Sequence, residues 1–466
     1  MNSLERIKKI VNENGIELIE LRFSNLIGKW HNFTFSKDFL IEILEEGVTF
    51  DGSSIPGWKN INNSDMIMKP DLETAFIDPF TSHPTLILIC DIYEPEKKEG
   101  YERDPRIIAK KAENYLRNTG IADTAYFGPE PEFFIFDDVR FDVKQYNSFF
   151  SVNSEELPIN SGTVNTRGNS GYRCQPKSGY LLSSPNDIYS ELRTEMMSQL
   201  KSVGITPNLH HHEVSPSQSE IGFKFGTILE AADNVQKLKY VVHNVANSYG
   251  KSVTFMPKPI YGENGSGMHV HQSLWLKDKP LFDGKEYANL SKMALYYMGG
   301  IIKHGKALNA FTNPSTNSYK RLVPGYEAPV SLVYSACNRS AAIRIPYTSS
   351  AKARRIETRF PDPMSNPYLC FAAMLMAGID GIINKIEPGE AVEQNLYEMS
   401  KEKLKRIPSL AKSLDDALVS LEKDTAFLTK NEVFSEGFIA NYIKLKKQEV
   451  EKINMLPHPA EFEMYY

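Results

Sequence analysis

With 466 residues, 41% of them hydrophobic and 24% charged, the chain has the make-up of an ordinary globular protein and enough length for a large core. Its net charge of -5 removes any electrostatic reason to expect a nucleic-acid partner. The longest uninterrupted apolar run, Tyr368 to Ile379, stops at Asp380 after twelve residues, short of the roughly 20 that span a bilayer, so it predicts a buried helix and no membrane partner.

Leu4, Ile7 and Val11 recur at helical spacing between a cap at Asn2 or Ser3 and Gly15, which predicts a short amphipathic helix rather than a signal-peptide core. From Ile16 to about Tyr93 the β-rich runs IELIELRF, WHNFTF and TLILICDIY alternate with Gly, Asn, Asp and Pro clusters, the pattern of a small sheet-rich unit. EPEKKEG, at 94–100, has the composition of a linker. Asp104 then caps a helix with Pro105 in its first position and Gly120 past its end, so the chain divides into 1–103 and 104–466. Beyond it, strand-like segments alternate with helical ones into a C-terminal helical tail without any internal repeat, as in an α+β or mixed α/β protein. The stretch 139–184, rich in Ser, Asn and Gly, is an excursion from the core. Cys90, Cys174, Cys337 and Cys370 form no close pair, which argues against zinc or disulfides and for a reducing cytoplasm.

In YFGPEPEFFIF a strand puts Glu130 and Glu132 on one face, although a solvated edge would do the same. Glu213 and Glu220, in LHHHEVSPSQSEIGFKF, are seven apart, and the Ser, Pro and Gln between them suggest a turn that brings the carboxylates together near His210, His211 and His212. Strand alternation splits the three histidines over two faces, so structural or substrate contacts suit them better than zinc. NGSGMHVHQSLW puts His269, His271 and Ser273 on one strand face after a Gly-rich turn, and RRIETRFPDP puts Glu357 beside Arg359. Five glutamates in one site would repel by about 4 kcal/mol per close pair at an effective dielectric near 20, so the set requires cations. Oxygen donors with one imidazole suit Mg²⁺ or Mn²⁺. Arg339 and Arg344, in the mostly small and apolar NRSAAIRIP, need anionic partners, and with Arg321, Lys352, Arg354, Arg355 and Arg359 nearby they indicate phosphoryl transfer.

These segments together resemble bacterial type I glutamine synthetase, over a stretch running from FDGSSIPGW (50–58) to the terminal EFEMYY. Five blocks agree in order: FDGSS, GPEPEFFIF, KPIYGENGSGMHVHQS, NPSTNSYKRLVPGYEAPV and RIETRFPDP. The resemblance implies an α+β fold, a small N-terminal β-grasp domain followed by a catalytic domain with an antiparallel sheet flanked by helices, of the kind shared with guanido kinases. It implies that Glu132, Glu213 and Glu220 hold one metal and Glu130, His269 and Glu357 another, at least two Mg²⁺ or Mn²⁺ per site. Asn264, Gly265, Arg321, Glu327 and Arg359 match glutamate-binding positions; His271, Ser273, Arg339, Arg344 and Lys352 match positions around ATP. The implied reaction makes glutamine through γ-glutamyl phosphate, with Asp51 taking a proton from ammonium and Glu327 covering the intermediate.

In that family Asp51 comes from a neighbouring subunit, which implies a homododecamer of two hexameric rings with intersubunit sites. Tyr397 aligns with the tyrosine that an adenylyltransferase modifies in one subgroup, but its flanking residues depart from that subgroup's pattern. Asn208 stands where an acidic nucleotide contact is usual. Two other readings compete: a ligase of the same fold joining glutamate to a larger amine, and a non-catalytic regulatory scaffold. Retention of Asp51 and Glu327 favours ammonium over larger amines, and the complete ligand set disfavours a scaffold.

Overall fold

Asn2 opens the first helix by accepting a hydrogen bond from Glu5 N while the Glu5 side chain accepts from Asn2 N, a reciprocal cap that fixes α1 (Ser3–Glu13) with Ile7 and Val11 turned inward. The computed structural model describes residues 2–95, 99–164, 171–336, 338–394, 399 and 407–466. Tyr397, Cys337 and part of the 94–100 segment lie outside the described residues.

The first sheet is built from β1 (Leu18–Ser24), β2 (Trp30–Ser36), β3 (Val48–Asp51), β4 (Asp65–Pro70), β5 (Phe76–Ile77) and β6 (Thr85–Tyr93), with α2 (Leu40–Glu46) between β2 and β3. Its order is β2-β1-β6-β4-β3, with β5 also on β6. β1 pairs with β6 in parallel, and every other pair is antiparallel. Every residue of β6 except Tyr93 is buried, which is why a central strand is written as the near-continuous apolar run TLILICDIY.

Asp104 caps α3 (Pro105–Thr119) through Arg106 N, and Gly120 ends the helix in the left-handed region at φ 69°, as its sequence predicts. After it come β7 (Thr124–Phe136), the hairpin β8 (Asp138–Val143) and β9 (Ser148–Asn153), and α4 (Ser190–Ser202). Next are β10 (Pro207–His212), β11 (Gln218–Phe223), β12 (Gly226–Thr227), α5 (Ile228–Ser248), β13 (Ser252–Thr254), β14 (Met268–Leu276) and β15 (Lys279–Pro280). Then follow α6 (Lys292–Lys303), α7 (Gly305–Thr312), α8 (Ser318–Arg321), β16 (Ser331–Ser335), β17 (Ala341–Arg344), β18 (Ile356–Thr358) and α9 (Pro367–Ile383). Helices Leu414–Lys423, Glu436–Met455 and Pro459–Tyr465 form the tail. No helix among the described residues is long and apolar enough to cross a membrane.

The second sheet runs β10-β11-β7-β14-β18-β17-β16, with β12 and β13 also on β7 and β15 on β14. All its pairs are antiparallel except β16 with β17. The architecture is therefore α+β, with helices layered on one face of the large sheet. On β7 the odd-numbered Phe127, Phe133 and Ile135 enter that layer, and Phe127 stacks on Phe371 of α9 at 5.3 Å. The apolar run in α9 is buried throughout, and at Gly300 of α6 an added Cβ would lie 2.0 Å from Ala377 O, so the two helices meet backbone to backbone.

Buried polar contacts bind the parts together. Arg106 on α3 reaches Asp91 of β6 at 2.6 Å, Asp71 at 2.9 Å and Asp233 of α5 at 2.9 Å. Gln236 of α5 donates to Ser24 Oγ of β1 and to the Gly28 carbonyl.

Pro129 and Pro131 stand inside β7, where a central strand ordinarily excludes proline. Glu132 N donates to Gly267 O on the β14 side, so by alternation the nitrogens of residues 129 and 131 face the other edge. That edge is unpaired at this point, because β12 reaches only Phe127 and β11 begins at Glu132. No ladder bond is lost, and a break in the sheet opens beside Glu130 and Glu132.

Candidate active site

The face of the large sheet opposite the helices carries a cavity of about 850 Å³, and the carboxylates gather there. Each side chain arrives by strand alternation: Glu130 and Glu132 from β7, His269 and His271 from β14, Glu357 from β18 and Glu220 from β11. Register supplies the rest. Glu132 is the Cα partner of Glu220, His269 of Glu130, and His271 of Glu357. The segment between Glu213 and Glu220 does turn, with Glu213 N donating to Gln218 O, and so two glutamates seven apart reach one cavity.

Two groups of donors result. Glu130, His269 and Glu357 offer atoms within 4.8 Å of one another, and so do His211, Glu213 and Glu220. His211 lies 3.6 Å from Glu213 and 3.7 Å from Glu220, while His210 bonds to Arg193 and His212 to Glu156 on the opposite face. Glu132 lines the same cavity, but its Oε2 accepts hydrogen bonds from Gln218 Nε2 at 2.9 Å and Gly267 N at 3.0 Å. His211 thus joins Glu213 and Glu220 as a donor in this group, with Glu132 on the same cavity wall.

Electrostatics distinguish the two groups. Burial raises the Glu213 and Glu220 carboxyls well above the usual range, reinforced for Glu213 by Glu132 and Glu220, and for Glu220 by Glu130 and Glu132. Burial also pushes Glu132 up to about 7, against the pull of Arg321. Burial acts upward on Glu357 too, but surrounding cationic groups, the contacting Arg359 and Arg344 guanidiniums among them, hold it at about 2. Burial and then Arg359 push His269 well down, so its imidazole is neutral and free to ligate. Clustered carboxylates that repel, with one imidazole in each group, fit a hard divalent cation.

Arginines line the far wall. Arg344 Nη1 meets Glu357 at 2.7 Å, Arg359 Nε meets its other oxygen at 3.1 Å, and Arg359 Nη1 donates to the Arg339 carbonyl. Arg321 donates to the carbonyls of Phe360, Pro361 and Arg359, which fixes the strand end carrying Arg359 while its guanidinium still borders the cavity. Asn264 and Gly265 line the same wall, and Glu327 projects at it from a left-handed backbone with φ 59°. Arg355 Nε donates to His271 Nδ1 at 3.1 Å, so His271 carries its proton on Nε2 and donates it to Glu130 at 3.0 Å.

A second, more apolar cavity of about 530 Å³ adjoins the first, with Glu130, Leu209, Glu220, His271 and Arg355 lining both. Ser273 and Lys352 lie in it with Tyr126, Phe225, Trp275 and Asn208, a setting that suits a flat heterocycle. Asp51 lines neither cavity; it accepts hydrogen bonds from Ser53 and Ser54, which hold its carboxyl below the usual range.

Sequence reasoning passed over Lys177, Tyr180 and Gln218, all on the cavity wall. Lys177 and Tyr180 come from the excursion, whose lack of periodicity hid them. His211 was visible only as the middle member of three histidines, the one that alternation turns away from its neighbours.

A family model described as glutamine synthetase, catalytic domain, matches residues 102–465, and one described as glutamine synthetase, beta-Grasp domain, matches residues 15–95. A glutamine synthetase of Pseudomonas aeruginosa is 56% identical over 461 residues, covering 98% of each chain. That of Bradyrhizobium diazoefficiens is 54% identical over 467 residues, covering 100% of each. Among solved structures, Plasmodium falciparum glutamine synthetase superposes with a TM-score of 0.91 at 32% identity, over 100% of this chain and 99% of that one.

Proposed function

Because the chain belongs to the glutamine synthetase family, it is an ATP-dependent glutamate–ammonia ligase acting on small molecules with divalent metal, and we propose that the cavity described above is its catalytic centre. The observation that carries this assignment is the convergence of two donor groups, Glu130–His269–Glu357 and His211–Glu213–Glu220, beside Arg339, Arg344 and Arg359.

In this reading Glu130, His269 and Glu357 hold one Mg²⁺ or Mn²⁺, and Glu213 and Glu220, with Glu132 and His211 beside them, hold a second. Such cations neutralise charge on phosphate oxygens. Asn264, Gly265, Arg321 and Arg359 receive glutamate. His271, Ser273, Arg339, Arg344 and Lys352 receive ATP, its base in the more apolar cavity. The γ-carboxylate of glutamate attacks the γ-phosphorus, releasing ADP and leaving γ-glutamyl phosphate; ammonia then displaces phosphate to give glutamine. Arg344 and Arg359, already held by Glu357, offset charge on the transferring group with little reorganisation, and Arg339 on the same cavity wall adds to them. Glu327 shields the intermediate from water.

Asp51, ionised and lining neither cavity, serves a neighbouring subunit by taking the ammonium proton, which requires an assembly of subunits; a dodecamer of two six-membered rings is the form proposed. The same reading divides the chain at 103/104, places it in the cytoplasm, and makes Tyr397 the candidate site for an adenylyltransferase.

Product analysis tests the reaction. Glutamate, ATP and ammonium should give glutamine with one phosphate per glutamine. Absence of glutamine together with glutamylation of methylamine or a polyamine would overturn the assignment.

A further inference from the structure

Beneath the turn that carries Glu213 lies a set of buried polar groups that the catalytic assignment leaves unused. His212 and Glu156 both have side chains with 0% exposure, and His212 Nε2 sits 3.0 Å from Glu156 Oε2. The other ring nitrogen, Nδ1, donates to the Glu213 carbonyl at 2.6 Å. Glu156 Oε2 also accepts from Ser217 N, at the far end of the same turn. A single carboxylate thus ties both ends of the turn together.

The turn is held from other sides as well. Ser217 takes φ 68°, a left-handed conformation that serine adopts only under constraint, and its Oγ bonds to Ser154 Oγ. Gly179, from the 139–184 excursion, lies so close that an added Cβ would sit 2.3 Å from the Glu213 carbonyl oxygen and 2.5 Å from the His212 ring. Glu213 N donates to Gln218 O at 2.9 Å, so both backbone polar groups of Glu213 are pinned, and its carboxylate Oε2 accepts from Val214 N at 3.1 Å within the same turn. A carboxylate buried this deeply is unfavourable unless paired and hydrogen-bonded, and all of the partners of Glu156 Oε2 belong to this turn.

We propose that Glu156 and His212 are positioning residues that fix the turn 212–218 and thereby aim the Glu213 carboxylate at the cation it shares with Glu220 and His211. The inference rests on the reading of Glu213 and Glu220 as metal ligands. Groups that orient a ligand typically change metal affinity 10–100-fold when altered, without touching the ion.

The test is Mn²⁺ titration of the full-length, chelator-stripped protein, with free Mn²⁺ followed by electron paramagnetic resonance and thermal stability measured alongside. Glu213→Gln should remove one class of site. Glu156→Gln should weaken that same class by about tenfold, leave the other class unchanged and raise the KM for glutamate more than it lowers kcat. His212→Gln places an amide near the Nε2 position, keeping the bond to Glu156 but losing the one to the Glu213 carbonyl. It should weaken the same class, and it carries the test if Glu156→Gln does not fold. A folded variant that binds Mn²⁺ like the parent in both classes, or that loses both classes equally together with thermal stability, overturns the proposal. If Glu213→Gln itself leaves Mn²⁺ binding intact, the ligand reading beneath the proposal is what fails.

Discussion

His211 faces Glu220 directly across the β10–β11 pair, with its Nε2 3.7 Å from the carboxylate. Because Glu213 follows one short step beyond the same strand, three donors converge from a single hairpin. Their carboxylates are raised by burial and mutual repulsion, so a cation entering this group relieves a cost already present in the fold.

Metal should therefore stabilise the chelator-treated protein. At Mn²⁺ a hundredfold above its dissociation constant the gain is about 2.7 kcal/mol per site, which a thermal melt registers as a clear rise in midpoint. Glu220→Gln removes one donor charge and should shrink that rise. An equal rise in the variant would count against Glu220 as a ligand.

Glu357 is held between Arg344 and Arg359 at 2.7 and 3.1 Å, and remains ionised at any working pH because its carboxyl lies at about 2. Glu357→Gln keeps the shape and deletes the charge. Phosphate release should fall at least about a hundredfold, equivalent to about 2.7 kcal/mol of barrier. Turnover within a few-fold of the parent would refute its role in the site.

Asp104 is fully buried, and burial together with Asp91 pushes its carboxyl from 3.8 up to about 7. The folded chain then keeps a proton between those two values that the unfolded chain has lost. Stability from this group is full below the lower value and declines as pH rises through about 7. Melting midpoints measured from pH 5.5 to 8 should fall, and Asp104→Asn, still a competent helix cap, should flatten that slope. Parallel slopes in both proteins would remove Asp104 as the cause.

Asp51 and Glu357 offer a test of shared sites. Asp51→Ala and Glu357→Ala should each be inactive alone. When they are co-expressed and assemble at random, about a quarter of the sites would combine an intact Asp51 from one chain with an intact Glu357 from another. Assay of the purified hybrid reads this directly, and a hybrid as inactive as its parents would show that Asp51 acts within its own chain or not at all.

What could be read from the sequence was what local physics encodes. The cap at Asp104, the αL stop at Gly120 and the buried run in α9 depend on neighbours within a turn or two, and they appear where spacing put them. The turn between Glu213 and Glu220 was legible because Ser, Pro and Gln interrupt a strand pattern. His211 was not, since its place among Glu213 and Glu220 depends on cross-strand register. Glu156, Lys177 and Tyr180 were hidden for a related reason: their segment has little periodicity of its own and gains its form from contacts far away in the chain. The β8–β9 hairpin, also within that segment, left no signal strong enough to separate it from loop.

Pro129 and Pro131 have a further effect. A stretch of backbone whose outward nitrogens bear no hydrogen offers an arriving strand nothing to accept, so the sheet cannot seal itself there by recruiting another segment or another chain. The break in the sheet beside Glu130 and Glu132 is thus kept open by covalent chemistry as well as by packing.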